Sequence, residues 1–433
     1  MTPKTPQGDR RRSKSQLLID AACKRAKMLH AQGRYAEALD VCLQTARTWP
    51  RVAAAWGDAA VNCIKLERWD DAVRCAQSAL ACGGNSLSVY DALSHAHGAL
   101  KQWNEVRRYG LHALTLRDRR FGGGLPVPHA LPRDMPPAPD AENRQRNVIA
   151  FSLFGGDSRY CESAVLNALE QPHIYPHWIC RFYIDASVPD AIVGRLREAG
   201  AQVVVVQGPA AQWPGTTWRF LALDDAHADR VLLRDADSVI SSREATAVDQ
   251  WLRSGKHFHA MRDSGTHTEL LLAGLWGAVC GALPPIGTLM QRFLRNPLES
   301  AHFADQYFLR QYVWPYARIS LMQHDSIFGF LNACPFPDGA TPDDFHVGYS
   351  EGSPYFTAPS ELPDGSAVKW LLYRTGGDAG HAGSSLVCSY PARVTAGAVR
   401  AHIPARYARW IAEGTAYVRV MTDDDPGDSG RRC

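Results

Sequence analysis

The chain has 433 residues, of which 45% are hydrophobic and 21% charged, and its formal net charge is +3. This length allows two or more domains, and the composition is that of an ordinary globular protein. The small net charge gives no strong electrostatic case for binding nucleic acid or an anionic membrane. No apolar stretch approaches the roughly 18 residues of a membrane-spanning helix. The basic run at residues 10–12 lacks the apolar core of a secretory signal.

The eleven cysteines are scattered, odd in number and never arranged as C-x-x-C. Five lie between residues 23 and 82, in a region with helical character, where buried reduced thiols are expected. Histidines have no cysteine or acidic partners at the spacing of a zinc site. We therefore expect a cytoplasmic protein, with a peripheral position at the inner membrane left open. Residues 1–18 are predicted to be a disordered basic leader.

Residues 19–120 contain a repeat with a period of 34, shown by Tyr35, Trp69 and Trp103. Three further sets have the same interval: Ala22, Trp56 and Tyr90; Ala38, Ala72 and Val106; Thr45, Ala79 and Ala113. Large and small residues at fixed places are typical of helix pairs that stack on copies of themselves. The pattern resembles the tetratricopeptide family. That resemblance implies a helical array of three repeats that binds a peptide or protein; a spacer or dimerisation arm is the alternative.

Residues 121–146 hold three glycines and six prolines, which predicts a semi-extended linker. Beyond it, β-leaning stretches (147–155, 179–187, 201–207 and 230–240) alternate with helix-like ones (160–171, 189–200 and 218–226). This alternation predicts a parallel α/β sheet with ligand-binding loops at the carboxyl ends of its strands. Asp157, Asp185, Asp235 and Asp237 all lie at predicted strand ends. For residues 351–433 the sequence predicts an extension of uncertain fold with a disordered tail.

Asp235 and Asp237 stand in an Asp-x-Asp triplet, which occurs only twice in the chain. Residues i and i+2 at the end of a strand point the same way, so their carboxylates repel. A divalent cation such as Mg²⁺ or Mn²⁺ would resolve this conflict and could also bind phosphate oxygens. A solvated pair, or one paired with Arg230 and Arg234, is the alternative.

The run WRFLALDDAHADRVLLRDADSVI resembles the A-type glycosyltransferases, which bind nucleotide-sugars through a strand-end Asp-x-Asp. The longer sequence of residues 234–263, together with GLWG at residues 274–277, resembles bacterial glycosyltransferases associated with surface polysaccharides. The resemblance covers roughly residues 147–335. It implies a Rossmann-like, mixed and mostly parallel sheet, which we place at residues 147–350. It also implies sugar transfer from a nucleoside-diphosphate sugar to a hydroxyl group, with Mn²⁺ or Mg²⁺.

The resemblance also implies roles for particular residues. Asp235 and Asp237 would hold the metal, with Asp235 also near the ribose. Arg219 would lie beside the phosphates or the sugar, and the segment from Phe151 to Asp157 would face the base. Trp276 could stack on a sugar face, and packing in the core is the alternative.

Glycosyltransferase family 8 places an Asp-Gln pair before a metal-binding His, and this chain has Asp305, Gln306 and His324 in that order. The likeness implies catalytic roles for the pair, a third metal ligand at His324 and, weakly, retention of configuration. A core histidine and a helix-capping Asp305 are the alternatives. The Gly and Lys-Pro-Trp of that family do not follow His324, so the phosphate-binding charge must come from elsewhere. An inverting enzyme would need a base, which Asp305 or Asp263 could supply; we also place Asp263 among the donor-binding residues.

Two other functions stay open. One is a scaffold that pairs a protein-binding array with a degenerate nucleotide-sugar domain. The other is a nucleotidyltransferase, which needs a Gly-rich loop with basic residues after the first strand; residues 154–160 (FGGDSRY) are a poor version of it. The expected partners are a nucleotide-sugar donor, a glycan, lipid-linked or protein acceptor, and a protein on the repeats, without nucleic acid.

Overall fold

The computed structural model describes residues 13–298, 300–337, 346–376 and 383–422. Most of the predicted leader and the predicted tail from residue 423 onward lie outside these ranges. The chain divides into two compact units, each assembled from separate segments. The first comprises Met1–Gly123, Arg262–Leu270 and Asp325–Pro335; the second comprises Gly124–Met261, Leu271–His324 and Phe336–Cys433.

The first unit is built on six helices in consecutive pairs: α1 (Lys14–Ala31), α2 (Tyr35–Thr48), α3 (Ala53–Lys65), α4 (Trp69–Ala81), α5 (Leu87–Ala99) and α6 (Trp103–Phe121). The second helix of each pair begins at Tyr35, Trp69 or Trp103, the residues that mark the 34-residue period. Fully buried alanines such as Ala59 and Ala72 let neighbouring helices approach closely. Helix α1 begins inside the predicted leader.

Two later segments of the chain complete the first unit at helices α5 and α6. The Oγ of Ser94 donates to the carbonyl of Gly265 over 2.7 Å. Gly110 lies against the ring of Phe328, in space that a β-carbon would take. The buried guanidinium of Arg117 pairs with Asp91 on α5 and, over 3.1 Å, with Glu269. No feature of the 34-residue repeat predicts these additions.

The second unit contains a seven-stranded sheet of β1 (Asn147–Leu153), β2 (Ile179–Ile184), β3 (Gln202–Val205), β4 (Arg230–Arg234), β5 (Phe258–Arg262), β6 (Trp276–Val279) and β7 (Leu321–Asp325). The strand order is β3-β2-β1-β4-β6-β5-β7. Strand β1 pairs in parallel with β2 and β4, and β2 with β3, whereas β6 is antiparallel to β4 and β5. The predicted α/β class is confirmed, with a mixed sheet whose first four strands are parallel.

The helices of this unit are α7 (Ser158–Ile174), α8 (Asp190–Glu198), α9 (Ser242–Arg253), α10 (Ile286–Phe293), α11 (Ala304–Phe308), α12 (Trp314–Ala317) and α13 (Ala405–Ala412). The segment predicted as a helix at residues 218–226 instead forms a 3-10 helix, Gly215–Asp224. Trp218, Arg219 and Phe220 are consecutive and all buried, so the segment is enclosed on every side at these three positions. An amphipathic helix lying on a sheet would bury only one stripe.

The described residues between 355 and 421 include five further strands: β8 (Tyr355–Pro359), β9 (Ala367–Arg374), β10 (Ser385–Arg393), β11 (Ala398–His402) and β12 (Ala416–Met421). They pair as an antiparallel three-stranded sheet, β10-β9-β12, and as the pair β8-β11. Glu162 on α7 is fully buried and accepts hydrogen bonds from Arg195, Tyr390 and Tyr407. This carboxylate therefore fixes the C-terminal strands and α13 to the sheet domain.

The Pro/Gly segment after α6 belongs to the second unit from Gly124 onward. The backbone of Val127 exchanges two hydrogen bonds with the hydroxyl of Tyr316, and Arg230 donates to the carbonyls of Pro136 and Pro137. Throughout the described ranges, no helix is both long enough and apolar enough to cross a membrane.

Candidate active site

A cleft of about 350 Å³ opens where strands β1 and β4 end. Such a position is where ligands bind in open α/β sheets. All of its lining residues belong to the second unit. They are Ser152, Leu153, Phe154, Tyr160, Thr216, Arg219, Asp235, Ala236, Asp237, Ala273, His302, Phe303, Asp305 and Gln306.

Arg219 joins two of the carboxylates that line the cleft. Its Nη1 donates to Asp235 Oδ1 over 2.5 Å, and its Nη2 donates to Asp305 Oδ2 over 2.8 Å. The backbone N–H of Arg219 is itself fixed by Ser152 Oγ at 2.9 Å. The sequence-predicted residues Arg219, Asp235 and Asp305 are therefore brought together, although 86 positions separate the first from the last.

Burial and charge act in opposite directions on the pKa values of Arg219 and Asp305. Burial lowers the pKa of Arg219, but the carboxylates of Asp235 and Asp305 more than offset it and leave the pKa raised. Burial raises the pKa of Asp305 to about 6, against the opposing effect of Arg219. Asp305 is thus a carboxyl group that can gain or lose a proton near neutral pH.

Asp237 lies at the same cleft in a different environment. Its Oδ2 accepts from Ser350 Oγ over 2.8 Å and lies 3.8 Å from Nη2 of Arg159. Burial, followed by the charge of Asp235, raises the pKa of Asp237. The alternative partners are engaged elsewhere: Arg230 with two proline carbonyls and Arg234 with Glu244.

The GLWG segment supports the site through its first glycine. A β-carbon on Gly274 would lie 2.1 Å from Asp235 Oδ2. The Asp235 carboxylate therefore occupies space that is free only because residue 274 is a glycine. Gln306 holds the same loop, because its Oε1 accepts from the N–H of Ala273 and its Nε2 donates to the carbonyl of Leu271. Gln306 therefore acts on the cleft through the loop as well as lining it.

Gly274→Ala is expected to lower kcat/KM for donor turnover by about 10²-fold, the scale of a 1 Å misplacement. Gly274 does not have a positive φ, so the added methyl acts through its clash with Asp235, whose carboxylate and backbone nitrogen both lie within 3.0 Å of the β-carbon position. The matched control is Gly287→Ala in α10, where a β-carbon meets nothing within 4 Å; it should keep full activity. Equal activity of the two variants would contradict the role of Gly274.

Four predicted donor-site residues are not among those lining the cleft. Phe151 is fully buried and stacks on Phe182, with ring centroids 4.7 Å apart. Trp276 is fully buried against Phe220, so it packs in the core and has no face for a sugar. Asp157 caps α7 by accepting from the N–H of Arg159. Asp263 belongs to the first unit, where its N–H donates to His267.

His324, predicted as a metal ligand, is fully buried at the end of β7. Its Nδ1 lies 2.8 Å from His259 Nε2, and its Nε2 lies 3.0 Å from Gln250 Oε1. Burial lowers the pKa of His324 to about 4, so the ring is neutral at physiological pH. Both nitrogens are used within the core, as in the alternative of a satisfied core histidine, and the structure does not bring His324 to the aspartate pair.

The cleft also contains exposed aromatic residues: Phe154, which lies within the segment predicted to face the base, and Phe303, which the sequence did not single out. Phe154 is 43% exposed, and Phe303 is 51% exposed. The Phe154 ring lies on Gly215, where a β-carbon would come within 2.7 Å, and it meets the ring of Trp218 in a T-shaped arrangement. Exposed aromatic faces at a cleft offer stacking surfaces for a base or a sugar. For Phe303, only its position close to Asp305 in the sequence could have indicated a place in the cleft.

Within the described residues, no group of three or more His, Cys, Asp or Glu side chains is arranged to hold a metal ion. The aspartate pair nevertheless has the chemistry that a hard divalent cation requires, because both carboxylates face one cleft and Asp235 raises the pKa of Asp237. A cation between them would remove that repulsion, so the residues present fit a metal held by two carboxylates with further ligands from a substrate.

No protein-family model and no curated protein matches the chain. Among solved structures, a mutant O-GlcNAc transferase from Thermobaculum terrenum is 17% identical over 50% of this chain and 50% of its own length, with a TM-score of 0.28. Glucosyl-3-phosphoglycerate synthase from Mycobacterium tuberculosis, solved with Mn²⁺, UDP-glucose and glycerol 3-phosphate, is 18% identical over 39% and 74%, with a TM-score of 0.24.

A 4-diphosphocytidyl-2C-methyl-D-erythritol synthase from Anaerococcus prevotii is 9% identical over 44% of this chain and 92% of its own, with a TM-score of 0.28. The chain spans half the length of the Thermobaculum protein. Likenesses of this size do not show an activity.

Proposed function

We propose that the protein is a metal-dependent glycosyltransferase, which moves a sugar from a nucleoside-diphosphate sugar to a hydroxyl group of a glycan, lipid-linked or protein acceptor. The observation that carries the proposal is the cleft in which Arg219 holds Asp235 and Asp305 while Asp237 lies alongside. In this proposal the helical array of the first unit recruits the acceptor or a partner protein.

The charges in the cleft favour an anionic donor bound with a cation. The lining includes three carboxylates, at positions 235, 237 and 305, but only one arginine. A diphosphate would add further negative charge, which is unfavourable at a partly buried site unless it is compensated. Asp235 and Asp237 would hold Mn²⁺ or Mg²⁺, and the bound ion would neutralise the diphosphate leaving group.

The remaining roles follow from the same contacts. Arg219 fixes the orientation of both carboxylates that it joins. Of the two residues considered as a base, Asp305 lines the cleft whereas Asp263 is not among the lining residues. With a pKa of about 6, Asp305 is suited to accept the proton of an acceptor hydroxyl group. Gln306 keeps the loop beside Asp235 in place.

The proposal is tested by thermal unfolding and donor hydrolysis with UDP-, GDP-, CMP- and dTDP-sugars, each with and without Mn²⁺. We expect one donor class to raise the melting temperature only with metal and to be slowly hydrolysed. A ligand at 100 times its Kd stabilises by about 2.7 kcal/mol, which such a scan detects easily. Binding of no donor under any condition would contradict the proposal and favour the scaffold. Release of pyrophosphate from a nucleoside triphosphate would favour a nucleotidyltransferase.

A further inference from the structure

The cleft lacks an evident group to bind a diphosphate directly. Arg219 and His302 are the only basic residues in its described lining. The guanidinium of Arg219 already donates to two carboxylates and to the carbonyl of Arg234 at 2.9 Å. Three of its five N–H donors are therefore engaged. Arg219 is also only 2% exposed, so it presents little surface to a phosphate. The sequence also lacks an evident phosphate-binding residue, because the Lys-Pro-Trp that follows the metal-binding His in glycosyltransferase family 8 does not follow His324.

Arg159 lies next to Asp237 and, although it is not itself among the residues that line the cleft, it precedes Tyr160, which is. Its Nη2 is 3.8 Å from Asp237 Oδ2 and 3.4 Å from Ser350 Oγ, and its guanidinium lies over the ring of Tyr160, which lines the cleft. Its Nε is buried and has no hydrogen-bond partner among the described residues. The 3.8 Å separation from Asp237 exceeds hydrogen-bonding distance, so this arginine retains donor capacity.

The position of Arg159 is built into the fold. It stands in the first turn of α7, where Asp157 accepts its backbone N–H over 2.8 Å. Gly352 packs directly on it: a β-carbon there would lie 2.3 Å from the Arg159 carbonyl oxygen and 2.8 Å from its Cγ. The N–H of Gly352 also donates to the carbonyl of Asp237 at 3.2 Å. One segment thus fixes both the arginine and the aspartate.

We propose that Arg159 binds the diphosphate of the donor beside Asp237. This inference rests on the proposed function, and it assigns the phosphate-binding charge to the segment after β1. A guanidinium presents donors in a planar fork that matches phosphate oxygens, and such charge-assisted bonds are stronger than neutral ones. Placed near the Asp237 carboxylate, Arg159 would contact a phosphate held at the aspartate pair.

The test measures binding of inorganic pyrophosphate with Mn²⁺ by titration calorimetry, because this probe does not depend on knowing the base or the sugar. We expect Arg159→Met to weaken pyrophosphate binding by about tenfold or more, and Arg159→Lys to weaken it less. Arg197→Met, which removes an exposed arginine from α8, is the matched control and should bind as the wild type does.

Binding of Mn²⁺ alone distinguishes a phosphate contact from a mere support of Asp237. Unchanged Mn²⁺ affinity with weakened pyrophosphate affinity supports the inference. Equal weakening of both, or wild-type pyrophosphate affinity in Arg159→Met, overturns it and leaves the proposed function standing. Wild-type protein that binds neither pyrophosphate nor any nucleoside diphosphate with Mn²⁺ would contradict the proposed function itself. Should Arg159→Met fail to fold, Arg159→Lys carries the same comparison.

Discussion

Asp237→Asn should reduce kcat/KM for metal-dependent donor turnover by at least about 10²-fold, because it removes one of the two carboxylates proposed to hold the cation. The fold should be retained. Asparagine keeps an oxygen that can accept from Ser350, and the loss of charge relieves the repulsion by which Asp235 helps to raise the pKa of Asp237. The measurements are donor turnover, Mn²⁺ affinity and thermal unfolding on the same preparation.

The matched control for this substitution is Asp185→Asn. Asp185 also follows a parallel strand, β2, but it accepts from Ser187 and is not part of the described cleft lining. It should leave turnover and Mn²⁺ affinity unchanged. An Asp237→Asn protein that keeps both properties would show that the metal does not bind at the aspartate pair.

Arg219→Met should impair both stability and activity, more severely than most single substitutions. Arg219 is only 2% exposed and Asp305 only 6%. Loss of one partner leaves a buried carboxylate uncompensated, which costs about 3 kcal/mol of unfolding free energy or more. Asp235 loses its orientation in the same step, so donor turnover should fall by about 10²-fold. Chemical denaturation and initial-rate kinetics measure the two effects separately.

The double variant Arg219→Met with Asp305→Asn should recover much of the lost stability but none of the activity. The asparagine removes the uncompensated charge, so the two substitutions should be strongly non-additive in unfolding free energy. Additive losses would mean that the arginine stabilises the fold through other contacts.

The stability lost in Arg219→Met should also depend on pH. The pKa of Asp305 in the folded protein is about 6, above its ordinary value of 3.8. A carboxyl group raised in this way stabilises the fold at low pH, and the contribution disappears as the pH rises through the folded-state pKa. Without Arg219 that pKa rises further, so the difference from the wild type should widen above about pH 6. A difference that stays constant from pH 5 to 8 would contradict this account.

Local sequence patterns predicted the strands that carry the cleft, but not the 3-10 helix that carries Arg219. The apolar stretches predicted as strands correspond to β1, β2, β3 and β4. The aspartate pair follows β4, and both of its carboxylates line the cleft, as the two-residue period of a strand predicts. Arg219 and Asp305 were predicted as site residues from the resemblance to glycosyltransferases. No local sequence pattern could predict the contact between them, because 86 positions separate the two residues. The 34-residue period likewise coincides with the starts of α2, α4 and α6, the second helix of each pair in the first unit.

Contacts between distant parts of the chain account for most of what the sequence did not predict. Ser350 contacts Asp237 across 113 positions, from a stretch that showed no periodicity. His324 and Trp276 were chosen for their chemical type, but burial decides their role and a single sequence does not report burial. A domain boundary at residue 350 would also separate Gly352 from Arg159, and the C-terminal strands from Glu162.

The first unit is assembled from separate segments of the chain, and this affects the order in which it can fold during synthesis. The helical unit includes Arg262–Leu270 and Asp325–Pro335, so its six helices are synthesised long before their last packing partners. Until Phe328 emerges from the ribosome, the ring that covers Gly110 is missing and that surface of α6 remains open. Vectorial synthesis therefore cannot complete the N-terminal unit first, as it does for domains that are continuous in sequence. A nascent chain released before residue 335 would expose this unfinished surface to aggregation or to chaperones.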